Sequence, residues 1–268
     1  MIRPSLRDRL LAAYARKGWR GLDRLWSLCR RGPGDAIHAV TPYGTHFELD
    51  PWSYIDRIVL REGFYESEVL TALVGALGGE GVLWDIGSNF GLHGLTAKKM
   101  VPDARVICFE PSPETLGRLW RNRALNALDV QVVTSGLSNR TGFQAFHLGP
   151  PGNSGMSTFA NLETTAYAGT CVVASAQGDD LIAGGHLPPP TVIKLDVEGY
   201  EREVLEGLGS ALRSPALRAV VFEDHAGDAT PVKALLRAAG FGFDPLARKE
   251  ATAHNLENFL ASRSPGTR

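Results

Sequence analysis

Residues 82–91 read VLWDIGSNFG, and this stretch decides the fold. An apolar run ends at Asp85-Ile86, a glycine-rich turn follows, and residues 92–100 then show a helical pattern. This order is typical of the first strand, turn and helix of a nucleotide-binding sheet. Gly87 lets the backbone turn sharply and approach a ligand, and Gly91 lets the helix pack near the strand. We therefore expect Asp85 to face the ligand crevice from the strand's carboxyl end.

The spacing of this turn excludes two common nucleotide sites. A dinucleotide fingerprint needs Gly-x-Gly-x-x-Gly, but Asn89 and Leu92 occupy its second and third glycine positions. The Gly-Lys-Ser/Thr ending of a phosphate-binding P-loop is also absent from the turn. The remaining pattern, Asp-x-Gly-x-x-x-Gly, resembles motif I of the class I methyltransferases, which bind S-adenosylmethionine (SAM). The alternative is a glycine turn in a doubly wound sheet that binds no ligand.

A second acidic residue follows the next apolar run. Residues 106–109 read VICF and are followed by Glu110-Pro111, roughly 25 residues beyond Asp85. Dinucleotide folds place a ribose-binding acid about 20 residues beyond the glycine turn. We expect the Glu110 carboxylate to accept hydrogen bonds from both ribose hydroxyls, and Pro111 to end the strand. The alternative for Glu110 is a surface glutamate at a strand end.

The composition is that of one α/β domain with an appendage. The chain has 268 residues, of which 44% are hydrophobic. It has no apolar run of the roughly 20 residues needed to span a membrane. The N-terminal arginines are not followed by the apolar segment of a signal peptide. Three widely spaced cysteines fit neither a zinc site nor a disulfide framework, so we expect a cytoplasmic protein.

The charge is unevenly distributed. Residues 1–31 contain nine Arg or Lys and two Asp, a net charge of +7, whereas the whole chain carries -1. The remainder therefore carries -8, which argues against a nucleic-acid partner. The basic segment has an amphipathic helical pattern that could contact an anionic membrane or an acidic partner. The alternative, which we favour, is a helical cap on the domain with solvated arginines.

The chain divides into three predicted parts. Residues 1–34 form a basic helical N-terminal extension, residues 35–80 a hairpin and helix, and residues 81–268 the SAM-binding methyltransferase domain. Strands and helices alternate in the third part, which predicts an α/β fold with a mostly parallel sheet and helices on both faces. A loop rich in turn formers precedes residues 153–158. These residues are either an acceptor-side loop or a simple β-turn, and the candidate substrate-binding residues are Asn153, Ser154, Met156 and Ser157.

The candidate catalytic residues lie at the ends of two later strands. Residues 191–201 read TVIKLDVEGYE, so Asp196 ends an apolar strand and Glu198 follows it. His225 follows the next predicted strand and can titrate near neutral pH. A hydroxyl acceptor benefits from a general base, for which these three residues are candidates. His225 is the favoured base, and we expect Asp196 to orient its imidazole or to hold the acceptor. Asp196, Glu223 and His225 could instead bind a divalent metal, but hydrogen bonding and strand-end capping are favoured and no metal is predicted.

Ordered motifs along residues 55–262 resemble the FkbM-type methyltransferase family. The stretches around Asp85 and Asp196, in that order, are the specific part of the match. The resemblance implies a class I methyltransferase (Rossmann-like) fold, SAM as donor, and usually O-methylation of sugar or specialised-metabolite hydroxyls. The matching segments are residues 63–66, 85–91, 109–111, 136–138, 153–158, 193–201 and 258–261.

The candidate SAM-binding residues combine the two acidic landmarks with the family motifs. They are Tyr65, Glu66, Asp85, Gly87, Ser88, Asn89, Gly91, Glu110, Pro111, Ser138 and Asp196. The expected acceptor is a small molecule or a glycan, whereas the oligomeric state is left open. Two other functions stay open at this level, a non-catalytic SAM-binding or partner-binding module and, less favoured, an NAD-dependent oxidoreductase on the same fold.

Overall fold

The computed structural model describes residues 36–163, 165–225, 229–247 and 256–263. The predicted basic extension over residues 1–34 lies outside these ranges. The strands are β1 (Ile37–Val40), β2 (His46–Leu49), β3 (Val82–Ile86), β4 (Arg105–Phe109), β5 (Gln131–Val133), β6 (Gly136–Leu137), β7 (Gly142–Leu148), β8 (Gly169–Ala176), β9 (Val192–Leu195), β10 (Ala219–His225), β11 (Gly242–Pro245) and β12 (Leu256–Ser262).

Helices separate most of these strands. They are α1 (Tyr54–Glu62), α2 (Ser67–Leu77), α3 (Leu92–Met100), α4 (Pro113–Asn126), α5 (Gly178–Ala183), α6 (Glu201–Glu206), α7 (Gly209–Arg213) and α8 (Pro231–Ala238), with a 3₁₀ turn at Ser154–Met156. Among the described residues, no helix is long and apolar enough to cross a membrane.

The central sheet has the order β11-β12-β10-β9-β3-β4-β5. Neighbours from β10 to β5 pair in parallel, whereas β12 pairs antiparallel with both β10 and β11. The predicted α/β fold with a mostly parallel sheet is therefore confirmed. Because the carboxyl ends of parallel strands meet at one edge of a sheet, β3, β4, β9 and β10 bring their last residues together.

The core lies on both faces of this sheet. Leu83 and Trp84 are neighbours in β3, point to opposite faces and are both fully buried. Trp84 packs in a cluster that includes Leu205 of α6, and Leu83 in a cluster that includes Leu70 of α2. Phe47 of the β1–β2 hairpin belongs to the same cluster as Leu83. The segment that precedes the sheet thus shares its core.

Three strands form a second, smaller sheet in the order β6-β8-β7. β7 and β8 pair antiparallel, and β7 alternates buried and exposed side chains over Phe143–Phe146. Phe143 on the outer face is 80% exposed, whereas Phe146 is buried. Such alternation is typical of a sheet with one solvated face, and it distinguishes β7 from the doubly buried central strands.

Candidate active site

A cleft opens at the carboxyl edge of the central sheet. Its empty volume is about 820 Å³ including the open mouth. Walls come from the ends of β3, β4, β9 and β10 and from the loop around residues 154–159. The predicted site residues on these walls are Tyr65, Glu66, Gly87, Asn89, Glu110, Pro111, Ser154, Ser157, Asp196 and Glu198.

The glycine turn is shaped by the neighbouring strand end. Gly87 has a φ of +79°, and a Cβ there would lie 1.8 Å from the carbonyl oxygen of Asp196. The amides of Gly87 and Ser88 both donate to the Phe109 carbonyl, at 3.1 and 3.0 Å. Only glycine satisfies this combination of a left-handed conformation and close backbone approach. The turn is therefore fixed against both β4 and β9.

Asn89 offers an unused acceptor next to this turn. Its backbone is left-handed with a φ of 51°, a conformation that asparagine tolerates better than most residues. Its side-chain oxygen is buried and has no hydrogen-bond partner among the described residues. A buried polar atom without a partner is costly, so such an atom on a cleft wall fits a bound ligand that donates a hydrogen bond.

Glu110 is held with both carboxylate oxygens in fixed positions. The amide of Asn89 donates to Oε2 and the amide of Ser112 to Oε1, each at 2.8 Å. The side chain is buried, and burial raises the pKa of Glu110 to about 7. A carboxylate oxygen can accept more than one hydrogen bond, so both oxygens can still accept a ribose hydroxyl. Glu110 thus fits the ribose end of SAM.

The expectation that Asp85 faces the crevice is not met. Asp85 is fully buried and does not lie on the cleft wall. The amide of Gly94 in α3 donates to its Oδ2 at 3.0 Å, and a Cβ on Gly94 would lie only 2.5 Å from that oxygen. Asp85 therefore faces the helix that follows the glycine turn, and its position is a supporting one beneath the SAM-binding wall.

Lys194 joins the two strand ends below the cleft. Its buried Nζ donates to Asp196 Oδ2 at 2.9 Å and to the Gly87 carbonyl at 3.4 Å. Asp85 Oδ1 lies 3.7 Å from the same Nζ. Burial lowers the pKa of Lys194, but Asp196 and Asp85 outweigh it and hold that pKa above its ordinary value. The ammonium group thus fixes one oxygen of Asp196, whose side chain stays 35% exposed.

Glu198 occupies a strained position on the cleft wall. Its φ is 56°, which is uncommon for a residue other than glycine and is often found at functional sites. Burial raises the pKa of its carboxyl, and the nearby carboxylates of Asp196 and Glu223 raise it further. Such a carboxyl accepts a proton more readily than an exposed glutamate does.

His225 does not reach this cleft. It is exposed and is not among the cleft-lining residues. Side chains alternate along β10, so Glu223 faces the cleft and Asp224 the other side. His225 shares the face of Glu223 but lies one repeat farther along the strand, beyond the wall. Among the described residues, no group of three His, Cys, Asp or Glu side chains is arranged to hold a metal ion.

Three predicted SAM-binding residues lie behind the cleft wall. Ser138 is fully buried and hydrogen-bonds Tyr200 and Gln144, at 3.1 and 3.0 Å. Ser88 donates to the Asp85 carbonyl at 2.6 Å. Gly91 is the third, and a Cβ there would meet side chains of the helices at 2.5–3.0 Å. These residues hold the wall in place from behind.

The predicted acceptor-side loop contributes only part of its residues to the wall. Ser154 and Ser157 line the cleft, whereas Asn153 and Met156 do not. The Ser157 hydroxyl accepts from Gly149 N at 2.9 Å and donates to the Ser154 carbonyl at 2.8 Å. It therefore stabilises the loop itself.

Several wall residues were not identified from the sequence. Phe146 and Phe159 line the cleft as an edge-to-face aromatic pair with ring centroids 5.0 Å apart. Phe159 packs so closely on Gly136 that a Cβ there would lie 2.2 Å from the ring. Asn258 of β12 also lines the cleft. The buried position of Phe146 in an alternating strand is the one signal that could have been used.

A family model and known proteins are similar to this chain. The model of the methyltransferase FkbM domain matches residues 85–243. The hexuronic acid methyltransferase AglP of Haloferax volcanii is 34% identical over 204 residues, which cover 76% of this chain and 80% of that protein. Methyltransferase sdnD of Sordaria araneosa is 28% identical, with 76% of this chain and 91% of that protein covered.

One of the similar solved structures is also a methyltransferase. Magnesium protoporphyrin IX methyltransferase of Synechocystis PCC 6803, solved with bound SAM, superposes with a TM-score of 0.45 at 13% identity. The superposition covers 96% of this chain and 97% of that chain.

Proposed function

This chain belongs to the FkbM family of SAM-dependent methyltransferases, and we propose that it methylates a hydroxyl group of a sugar acceptor. The non-catalytic module and the NAD-dependent oxidoreductase are set aside by this membership. The name of the Haloferax volcanii relative, a hexuronic acid methyltransferase, supports a saccharide acceptor. The observation that carries the proposal is that the carboxyls of Glu198 and Asp196 line the same cleft as Glu110.

SAM would lie across the ends of β3 and β4. Glu110 would accept its ribose hydroxyls, with Pro111 and Leu137 beside the adenine. Gly87 and Asn89 would face the methionine part, at the turn where the backbone is open to a ligand. Bound SAM supplies a methyl group activated by a positively charged sulfur. The carboxylate of Asp196, at the end of the adjacent strand, favours that positive charge.

The acceptor would enter over β9 and β10, beyond Asp196. Methyl transfer to a hydroxyl oxygen is an in-line displacement, and positioning of the two reactants contributes much of the rate. The hydroxyl also loses its proton as the new bond forms, so a base beside it lowers the barrier. Glu198 fits that role because its pKa is raised and it faces the cleft. Asp196, with one oxygen held by Lys194, would orient the acceptor.

Incorporation of a labelled methyl group into saccharides tests the proposal. The full chain is incubated with methyl-labelled SAM and the saccharide fraction of the source organism, and labelled products are analysed by mass spectrometry after hydrolysis to monosaccharides. We expect the label on a sugar oxygen, with far less label from Glu198→Gln. A matched control is Glu257→Gln, an exposed glutamate on β12. Label confined to nitrogen or carbon would contradict O-methylation.

A further inference from the structure

A small recess adjoins the main cleft where β10 ends and β12 begins. Its empty volume is about 180 Å³, and Glu66, Asp196, Glu223 and Asn258 line both the recess and the cleft. Its other lining residues are Val69, Lys194, Leu195, Val221 and Phe222. The recess therefore combines apolar side chains with charged and polar ones, at the far side of the cleft from Glu110.

Asn258 presents an unused hydrogen-bond donor at the mouth of this recess. The residue is only 4% exposed, and its Nδ2 has no hydrogen-bond partner among the described residues. Leaving a buried amide donor without a partner costs free energy, and such groups are rare in native proteins. Because Asn258 lines both cavities, a ligand in the cleft can supply the missing acceptor.

Glu223 lies directly opposite Asn258 on the neighbouring strand. The two residues are Cα partners in the antiparallel β10–β12 ladder, and both line the cleft. Side chains of directly opposed residues lie close enough to contact the same group, since their Cβ atoms are about 4.5–5.5 Å apart. A carboxylate accepts hydrogen bonds and an amide nitrogen donates them, so together they match a group that does both.

We infer that Glu223 and Asn258 together bind a second hydroxyl of the acceptor, next to the one that is methylated. A hydroxyl can donate to Glu223 and accept from Asn258 Nδ2 at the same time. This inference rests on the proposed function, because it takes the acceptor to be a sugar. It adds that the ring position beside the methylated oxygen carries a free hydroxyl.

The sheet places this pair on the acceptor side. β10 is two strands from β3, and β12 is three strands from it. Adjacent strands are about 4.8 Å apart, so the pair lies roughly 10–14 Å from the glycine turn that faces SAM. Glu198 and Asp196 lie between the two regions on the same cleft. A sugar ring therefore fits between the base and the Glu223–Asn258 pair.

Binding of simple glycosides to the full chain loaded with S-adenosylhomocysteine tests the inference. Methyl hexopyranosides and their single-deoxy analogues are compared by saturation-transfer NMR on the wild-type protein, Asn258→Ala and Glu223→Gln. We expect one deoxy position to weaken binding to the wild type about tenfold, which is the value of one hydrogen bond. In either variant, removing the same hydroxyl should not weaken glycoside binding further, because the variant has already lost a partner of that hydroxyl.

Controls separate this inference from the proposed function. Affinity for S-adenosylhomocysteine, measured by calorimetry, should be unchanged in both variants, and Glu257→Gln should bind every glycoside like the wild type. Three results would each overturn the inference. The wild type and the variants could bind the glycosides equally, the wild type could bind no glycoside, or the variants could lose affinity only for S-adenosylhomocysteine. If the labelled-methyl assay gives equal sugar methylation by wild type and both variants, only this inference fails. If the wild type methylates no sugar, the proposed function itself fails.

Discussion

Glu110 is the residue on which SAM affinity should depend most directly. Its two oxygens are fixed by the amides of Asn89 and Ser112 at 2.8 Å, so little reorganisation is needed when ribose binds. We expect Glu110→Ala to weaken SAM binding by about 1–3 kcal/mol, the range for loss of a charged hydrogen-bond partner. Calorimetry on the folded variant measures this. Glu114→Ala, four residues along and exposed, is the control and should bind SAM like the wild type; unchanged affinity in Glu110→Ala would refute the ribose assignment.

Glu198 should instead control turnover. Glu198→Gln keeps the shape of the side chain but cannot take a proton, so kcat should fall by about 10²–10⁴ while SAM affinity is nearly unchanged. A base works only when deprotonated, and the pKa of Glu198 is raised above its ordinary value of 4.5. The wild-type rate should therefore rise as the pH passes upward through that raised pKa, and the variant should lose this dependence. Full turnover by Glu198→Gln would move the base elsewhere, with Asp196 as the next candidate on the cleft.

Residue types were easier to predict from the sequence than the directions in which they point. The sequence identified Glu110, Asp196 and Glu198, and all three line the cleft. It also suggested Asp85 and His225, which do not. Asp85 faces the amide of Gly94 in the next helix, and His225 lies one alternation too far along β10. Both outcomes depend on the direction in which a side chain points near a strand end, which sequence patterns do not determine.

At the scale of elements, the junction between the β3 turn and β9 depends on one glycine. Gly87→Ala would force a left-handed alanine against the Asp196 carbonyl, 1.8 Å from the new Cβ. The conformation alone costs about 1–2 kcal/mol, and the clash adds to it. We expect a lowered melting temperature by calorimetry and a loss of SAM binding. Gly79→Ala is the matched control, because its Cβ would meet nothing within 4 Å and its φ is not in the left-handed region. Equal stability of the two variants would show that the junction tolerates a shift.

Which strands pair with each other was harder to predict from the sequence than where the strands occur. Patterns over residues 143–148 and 170–174 predicted strands, and β7 and β8 are found there. Their place in a separate three-stranded sheet follows from contacts with β6 and from the Phe159 ring on Gly136, which are distant in the sequence. Asn258 was missed as a site residue for the same reason, since β12 reaches the cleft only by pairing with β10.

The buried carboxyls make the stability of the whole molecule depend on pH. Burial raises the pKa values of Glu110 and Glu201 to about 7, so the folded state binds these protons more tightly than the unfolded state. Their contribution is complete below the ordinary pKa of 4.5 and is lost as the pH rises through about 7. Burial lowers the pKa of His93 to about 4, and its contribution is lost as the pH falls below 6.5. We therefore expect the melting temperature of the ligand-free protein to fall between about pH 6.5 and pH 8, where only the carboxyls act.

Calorimetric scans at a series of pH values measure this dependence. Glu110→Gln and Glu201→Gln remove one titrating group each and should flatten the decline. A melting temperature that rises over the same window would contradict the assignment of these raised pKa values.

The uneven charge of the chain leads to a prediction about surfaces outside the cleft. Residues 1–31 carry +7 and the remaining residues -8, so the basic segment is the part suited to an anionic membrane. If it docks there, the full chain should bind vesicles containing anionic lipid at low salt, and the binding should weaken as salt is added, because screening shortens the range of charge attraction to about 10 Å at 0.1 M. Deleting residues 1–31, or replacing Arg7, Arg9, Arg16 and Lys17 by glutamine, should abolish binding in a vesicle sedimentation assay and leave SAM affinity unchanged.

Vesicles of neutral lipid are the control and should not bind either form. If the full chain ignores anionic vesicles even at low salt, the arginines serve only as the solvated face of an N-terminal cap.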